Sequence, residues 1–105
     1  MIPEILQRAG IPYKEARYKD PPAETYAVYF DDVTADGADG VNLIYTHDVT
    51  VELYEPAPDD DAEAALVAVL NDQGIPWTKQ ARYWLDSVRR YQVIYEFTIY
   101  EKRRT

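Results

Sequence analysis

The sequence has no cysteine, one histidine and only four glycines among 105 residues. Without cysteine, disulfides, thiolate chemistry and cysteine-type zinc sites are excluded. A single histidine also excludes a metal site built on a histidine pair. No apolar run approaches the ~18–20 residues that a transmembrane helix needs, and the first residues show no secretory signal pattern. With 47% apolar residues, the remaining expectation is an ordinary globular protein.

Basic residues are missing from the middle of the chain. Between Asp20 and Thr78 there are fourteen Asp and Glu residues and no Lys or Arg. The formal charge is +2 over residues 1–19, −14 over 20–78 and +4 over 79–105, which gives the net −8. A protein that meets copies of itself or a charged partner in one orientation gains from such sorting. We interpret the pattern as that of an assembly protein.

Apolar spacing predicts an α+β fold in the order α-β-β-β-α-β-β. About five mostly antiparallel strands are expected, with two α-helices packed on one face of the sheet. The length predicts a single domain, residues 1–105, with a basic C-terminal tail at 102–105. A short extended segment is expected at 11–18 and strands at 25–31, 41–55, 77–85 and 90–101, whereas 32–40 has turn composition.

The stretch 41–55 is longer than a usual strand. It therefore either breaks near His47-Asp48 or extends past the body of the domain as an arm. The sheet face away from the helices is expected to be open and to carry Tyr29, Tyr54 and Tyr100. Open aromatic faces and sheet edges are surfaces that oligomers use.

Candidate chemical sites are few. The loop Asp36-Gly-Ala-Asp39-Gly40 lacks the spacing of a calcium loop, and the aspartates at 59–61 are explained as a helix start. His47 beside Asp48 has no accompanying nucleophile or oxyanion loop, so we expect it to face solvent. Arginines and tyrosines near the C-terminus resemble a single-strand stacking platform, but the net charge opposes nucleic-acid binding. We predict no enzyme, no cofactor and no metal.

Several short motifs, in their order and spacing, resemble a known family. They extend over nearly the whole chain and are Gly10-Ile-Pro-Tyr13, Pro21-Pro22, Tyr26-Ala-Val-Tyr29, Ala35-Asp36, Val51-Glu-Leu-Tyr54, Ala62-Glu63, Leu66, Leu70-Asn-Asp-Gln-Gly-Ile75, Trp77-Thr-Lys79 and Tyr91-Gln-Val-Ile-Tyr95-Glu96. Together they are similar to the tail terminator (tail completion, head-tail joining) family of siphophages and prophages. The chain departs from that family in its heavier acidic load and its arginine-rich C-terminus.

The resemblance implies a structural protein of antiparallel strands and two helices, without catalytic residues. It implies a homo-oligomeric ring, typically a hexamer, that caps the phage tail tube and docks the head connector protein. The implied location is the virion tail, and the bacterial host cytoplasm during assembly. No membrane partner and no specific nucleic-acid binding are implied, although DNA passes through the ring.

A cyclic ring joins two unlike patches of neighbouring subunits, and the separated acidic and basic segments can supply them. An acidic lumen would also keep passing DNA from sticking. We therefore expect the loop of Asp32, Asp36 and Asp39 to face the lumen or the neighbouring subunit. The predicted interface residues are Asp32, Asp36, Asp39, Tyr45, Tyr54, Arg89, Arg90, Arg103 and Arg104.

Three other functions are left open by the sequence. One is an acidic DNA mimic that inhibits a nucleic-acid-binding protein, which would be monomeric or dimeric rather than a ring. The second is a head-tail connector protein of the same particle. The third, an enzyme that acts through His47 and Asp48, lacks the supporting groups of an active site.

Overall fold

The computed structural model describes residues 1–37 and 42–104. Within them the α+β class and the predicted order are confirmed, although the segment 77–85 forms two short strands in place of one. The elements are α1 (Ile2–Ala9), β1 (Tyr13–Glu15), β2 (Tyr26–Gly37), β3 (Asn42–Glu55), α2 (Asp60–Asp72), β4 (Trp77–Lys79), β5 (Tyr83–Leu85) and β6 (Arg90–Arg104).

The strands form one sheet in the order β1-β2-β3-β6-β4, and β5 also pairs with β6. Among the strands that the structure describes, β1 and β2 run parallel and the other pairs are antiparallel. The register places Tyr29 opposite Val51, and Val51 opposite Tyr95. The centre of the sheet is therefore made of the three longest strands, β2, β3 and β6.

Both helices cover one face of this sheet. Leu66 and Leu70 of α2 are fully buried against Leu53 and Val93, and α1 adds Leu6. Burying a side chain of this size stabilises the fold by about 1.5–3 kcal/mol. Helix α1 ends at Gly10, whose φ of 73° suits a residue without a Cβ. Asp59 caps the N-terminus of helix α2, and its side chain accepts the N–H of Ala62 at 3.0 Å.

Three details differ from the sequence-based expectations. Strand β2 continues to Gly37, so the prediction of a turn beginning at Asp32 is wrong, and residues 38–41 lie outside the described part. Strand β6 continues to Arg104, so residues 102–104 belong to the sheet. Tyr29 packs on the helix-covered face, because strand alternation shows which residues share a face but not which face the helices cover.

Strand β3 is continuous through His47-Asp48. Of the two alternatives for this stretch, the break is therefore wrong and the long continuous strand is confirmed. The molecule measures 49 × 28 × 22 Å, and the long dimension matches a strand of fifteen residues. Among the described residues, no helix is long and apolar enough to cross a membrane.

Candidate functional site

The long strands continue past the apolar core as a three-stranded ribbon. We call this ribbon the arm; it comprises residues 31–37 of β2, 42–48 of β3 and 98–104 of β6. On the helix-covered face, the core ends at the level of Val49 and Phe97, which are 2% and 5% exposed. Further along the same face Val33 is 44% exposed. The arm therefore projects beyond the body and is held by strand pairing rather than by a hydrophobic core.

His47 lies at the base of the arm and is 7% exposed, so the prediction of a solvent-facing histidine is wrong. Its Nδ1 is 3.0 Å from both carboxylate oxygens of Asp31, and its Nε2 is 3.0 Å from Oε1 of Glu101. Burial lowers the pKa of His47, but the hydrogen bonds to the two carboxylates outweigh burial and raise the pKa above its usual value. The imidazole thus joins all three strands of the arm.

The same face carries two of the predicted interface residues in direct contact. The guanidinium of Arg103 lies 4.6 Å from the ring centroid of Tyr45, a cation–π arrangement. Arg103 also donates two hydrogen bonds to Glu101, at 2.9 and 3.1 Å. Arg103 and then His47 lower the pKa of Glu101. A polar network therefore runs along the arm from Asp31 to Tyr45.

The opposite, open face carries an acidic groove. It has a volume of about 580 Å³ and lies between the arm and β4. Its carboxylates are Asp32, Asp48 and Glu96, and no Lys or Arg is among the described residues that line it. Asp32 and Asp48 are directly opposite in the register, where two like charges repel. Tyr100, 72% exposed, stands at its rim.

A second group of predicted interface residues lies at the other end of the sheet. Tyr54 stacks on Tyr26 with ring centroids 5.1 Å apart. Burial, reinforced by the hydrogen bond to Glu52, raises the pKa of Tyr54 to about 12. Arg90 donates to the carbonyl of Ala23, while Arg89 adopts a left-handed φ of 54° in the turn before β6.

The nine predicted interface residues therefore do not form one patch. Asp32, Asp36, Tyr45 and Arg103 lie on the arm, and Tyr54, Arg89 and Arg90 lie at the opposite end of the sheet. Asp39 and the side chain of Arg104 lie outside the described part.

A buried ionic cluster under the helices was missed by the sequence analysis. Glu55 is fully buried and Glu63 is 5% exposed. Arg82 bridges them, donating to Oε1 of Glu55 at 3.3 Å and to Oε2 of Glu63 at 2.6 Å. Lys79 lies 2.7 Å from Glu63. Burial raises the pKa of Glu55. For Glu63, burial acts in the same direction, but the contacts of Glu63 with Glu55, Lys79 and Arg82 outweigh burial and lower its pKa.

A signal for these buried polar groups was present in the sequence. Glu55 and His47 continue the alternation of Val49, Val51 and Leu53 on β3, so they share the helix-covered face. Likewise Glu63 precedes Leu66 by three residues and Leu70 by seven, on the apolar stripe of α2. A charged residue in phase with an apolar stripe indicates a buried, paired charge.

Comparisons with known proteins identify a fold but no family. No protein-family model matches the chain, and no curated protein matches it. The fold is similar to that of a chain in the solved virion of a native gene transfer agent (GTA) particle, with a TM-score of 0.52. The match covers 92% of this chain and 84% of that chain at 17% sequence identity. At this identity the similarity establishes a shared fold.

Proposed function

We propose that the chain is a structural protein of a phage-like particle and acts as a tail terminator. Copies of it form a ring that ends the tail tube and meets the head connector. The observation that carries this proposal is the similarity of fold, over 92% of the chain, to a protein of a gene transfer agent virion. The resemblance of the sequence motifs to those of tail terminators supports the finer role.

The geometry of the arm supports assembly rather than catalysis. Both ring nitrogens of His47 are occupied by the carboxylates of Asp31 and Glu101, so neither is left to act as a general base. Asp48, the partner considered from the sequence, instead accepts a hydrogen bond from Thr98 at 3.0 Å on the open face. His47 therefore serves to hold the arm together, and the proposal includes no enzymatic step.

The distribution of charge supports a ring with unlike contact surfaces. Among the described residues that line it, the groove on the open face carries only acidic charge, while Lys102 and Arg103 lie on β6 of the same arm. In a cyclic ring each subunit presents two different patches, one to each neighbour. We place Asp32, Asp36 and Asp39 towards the lumen or the neighbouring subunit, where acidic charge keeps DNA from binding as it passes.

The DNA-mimic alternative rests on the same acidic groove but requires a monomer or dimer that binds a basic protein. Light scattering on a sizing column, at about 50 mM and 500 mM salt, separates the two functions. A ring joined by unlike charges assembles at low salt and weakens at high salt. The reason is that the Debye screening length falls from about 14 Å at the lower salt concentration to about 4 Å at the higher one.

Binding to purified tail tubes tests the finer role. We expect rings at one end of each tube in electron micrographs, including the case in which rings form only on the tube. A protein that binds the isolated head connector but not the tube would instead be a connector component. A monomer that binds neither tube nor connector contradicts the proposal.

A further inference from the structure

The arm has two open edges. Strand β1 pairs only with Ala27–Tyr29 of β2, so the edge of β2 beyond it, residues 31–37, has no partner strand among the described residues. On the other side, β5 and β4 pair with residues 90–92 and 95–97 of β6. Residues 98–104 of β6 are likewise without a partner in the part of the chain that the structure describes. Open edges of seven residues are long enough to add another strand.

The backbone groups along these edges point outward in a regular pattern. Ala27 donates its N–H to Pro12, and the carbonyl of Tyr29 accepts from Ala16. The backbone N–H and C=O groups of the odd-numbered residues of β2 therefore point to the open edge. On β6 the carbonyl of Ile94 accepts from Gln80, so even-numbered residues face outward there. Val33 and Ala35 on one edge, and Tyr100 and Lys102 on the other, continue these two series.

The two edges carry opposite charge. Residues 31–37 of β2 contain three aspartates and no basic residue. Residues 98–104 of β6 contain three basic residues and one acid, Glu101, so their formal charge is +2 against −3 on residues 31–37. An isologous pairing, β2 with β2 or β6 with β6, would set like charges together, whereas β6 with β2 sets unlike charges together.

We infer that the β6 edge of one arm pairs with the β2 edge of a second copy of this chain, so that the arms form a continuous β-belt. This inference rests on the proposed ring and names its contact. Strands β2 and β6 are each antiparallel to β3 and therefore parallel to one another. A rotation that closes a ring around an axis along the strands keeps their direction, so the new pairing is parallel.

The register identifies a contact pair. Asp36 and Lys102 both pair with Ile44 of β3 and therefore lie at the same level and on the same open face of the arm. Without an offset between subunits, Lys102 of one copy lies opposite Asp36 of the next. Charges on an edge also protect it from unwanted pairing, but protection alone does not require opposite signs on the two edges.

Charge reversal tests the contact. Asp36→Lys and Lys102→Glu should each weaken association by about tenfold or more, because each places like charges together. Asp36→Lys with Lys102→Glu in one chain should restore association to within about threefold of the unmodified protein. Lys19→Glu makes the same charge change as Lys102→Glu, but away from the arm, and is the matched control for that variant. Sizing with light scattering, on tail tubes if rings form only there, gives the readout.

A backbone variant tests the pairing without depending on register. Ala35→Pro removes an N–H that points to the open edge and leaves the β2–β3 hydrogen bonds in place. We expect this variant to keep the circular dichroism spectrum of the unmodified protein but to lose assembly. Hydrogen exchange should slow in segments 31–37 and 98–104 when the unmodified protein assembles.

The outcomes separate this inference from the proposed function. Rings that persist with Ala35→Pro overturn the edge pairing, and rings that persist with both single charge reversals overturn the Asp36–Lys102 contact; either result leaves the proposed function standing. An unmodified protein that neither self-assembles nor binds tail tubes overturns both. Loss of assembly in the single variants with recovery in the double variant supports both.

Discussion

Nδ1 of His47 on β3 lies 3.0 Å from both carboxylate oxygens of Asp31 on β2. The contact ties two strands where the apolar core ends, and Glu101 adds the third strand from the other side. A hydrogen bond to a charged group stabilises a fold by about 1.5–3 kcal/mol when it is partly buried. The base of the arm is therefore held by polar contacts whose strength depends on pH.

We expect the stabilisation from His47 to decline as pH rises above neutrality. The two carboxylates raise the pKa of folded His47 above the value in the unfolded chain. The contribution is therefore complete below the unfolded pKa of about 6.5 and is lost as pH rises through the higher folded pKa. Asp31 and Glu101 contact the imidazole directly, and Arg103 binds Glu101.

The measurement is the free energy of unfolding of the unmodified protein and of His47→Gln from pH 5.5 to 9. Their difference should be about 2 kcal/mol at the acidic end and should shrink with rising pH. A difference that stays constant over this range would show that the histidine acts only by packing.

The buried carboxylates under the helices should respond unequally to amide substitution. Burial raises the pKa of Glu55, so it keeps its proton at mildly acidic pH and Glu55→Gln should cost less than about 1 kcal/mol. Glu63 is the anionic partner of Lys79 and Arg82, so Glu63→Gln should cost about 3 kcal/mol. Urea unfolding at pH 5.5 compares the two variants.

The pH dependence of this cluster has two sides. Stability from protonated Glu55 is lost as pH rises through its raised pKa, and stability from ionised Glu63 is lost as pH falls through its lowered pKa. Glu55→Gln should therefore remove the loss of stability that accompanies rising pH up to about 7 and leave the loss at acidic pH. Equal costs for the two amide variants would contradict this assignment of charge.

Asp59, rather than its neighbours, should cap helix α2. Its Oδ1 accepts the N–H of Ala62 at 3.0 Å, and its Oδ2 accepts the hydroxyl of Thr25 at 2.5 Å. Asp59→Ala should lower the unfolding free energy by about 1–2 kcal/mol, whereas exposed Asp61→Ala should lower it by less than about 0.5 kcal/mol. Thermal unfolding of both variants provides the comparison; similar losses would mean that helix-dipole charge, not the cap, stabilises this end.

Tyr100 should contribute to assembly but not to folding. It is 72% exposed at the rim of the acidic groove, and Tyr83, 64% exposed, serves as the control at the far end of the same sheet. Tyr100→Ala should change the unfolding free energy by less than about 0.5 kcal/mol while weakening association by about tenfold. Tyr83→Ala should leave both unchanged. If the two variants assembled equally well, the groove would not be part of the contact surface.

Most of the secondary structure is readable from the chain. The apolar spacing of Leu66, Val69 and Leu70 determines the buried stripe of α2, and the alternation of Val49, Val51 and Leu53 determines a strand with one buried face. Residues 32–37 were misassigned because Asp and Gly are typical of turns. Their pairing with β3 across a continuous ladder overrides that local preference.

The sequence by itself determined the order of elements, the separation of charge and the absence of cysteine and histidine-pair chemistry, because these follow from local spacing and composition. Tertiary structure decided which sheet face the helices cover, and it brought Asp31, His47 and Glu101 together from three strands. It also joined Glu55, Glu63 and Arg82 under the helices. Such contacts depend on the register between distant segments, and alternation within one strand carries no information about which segment lies beside it.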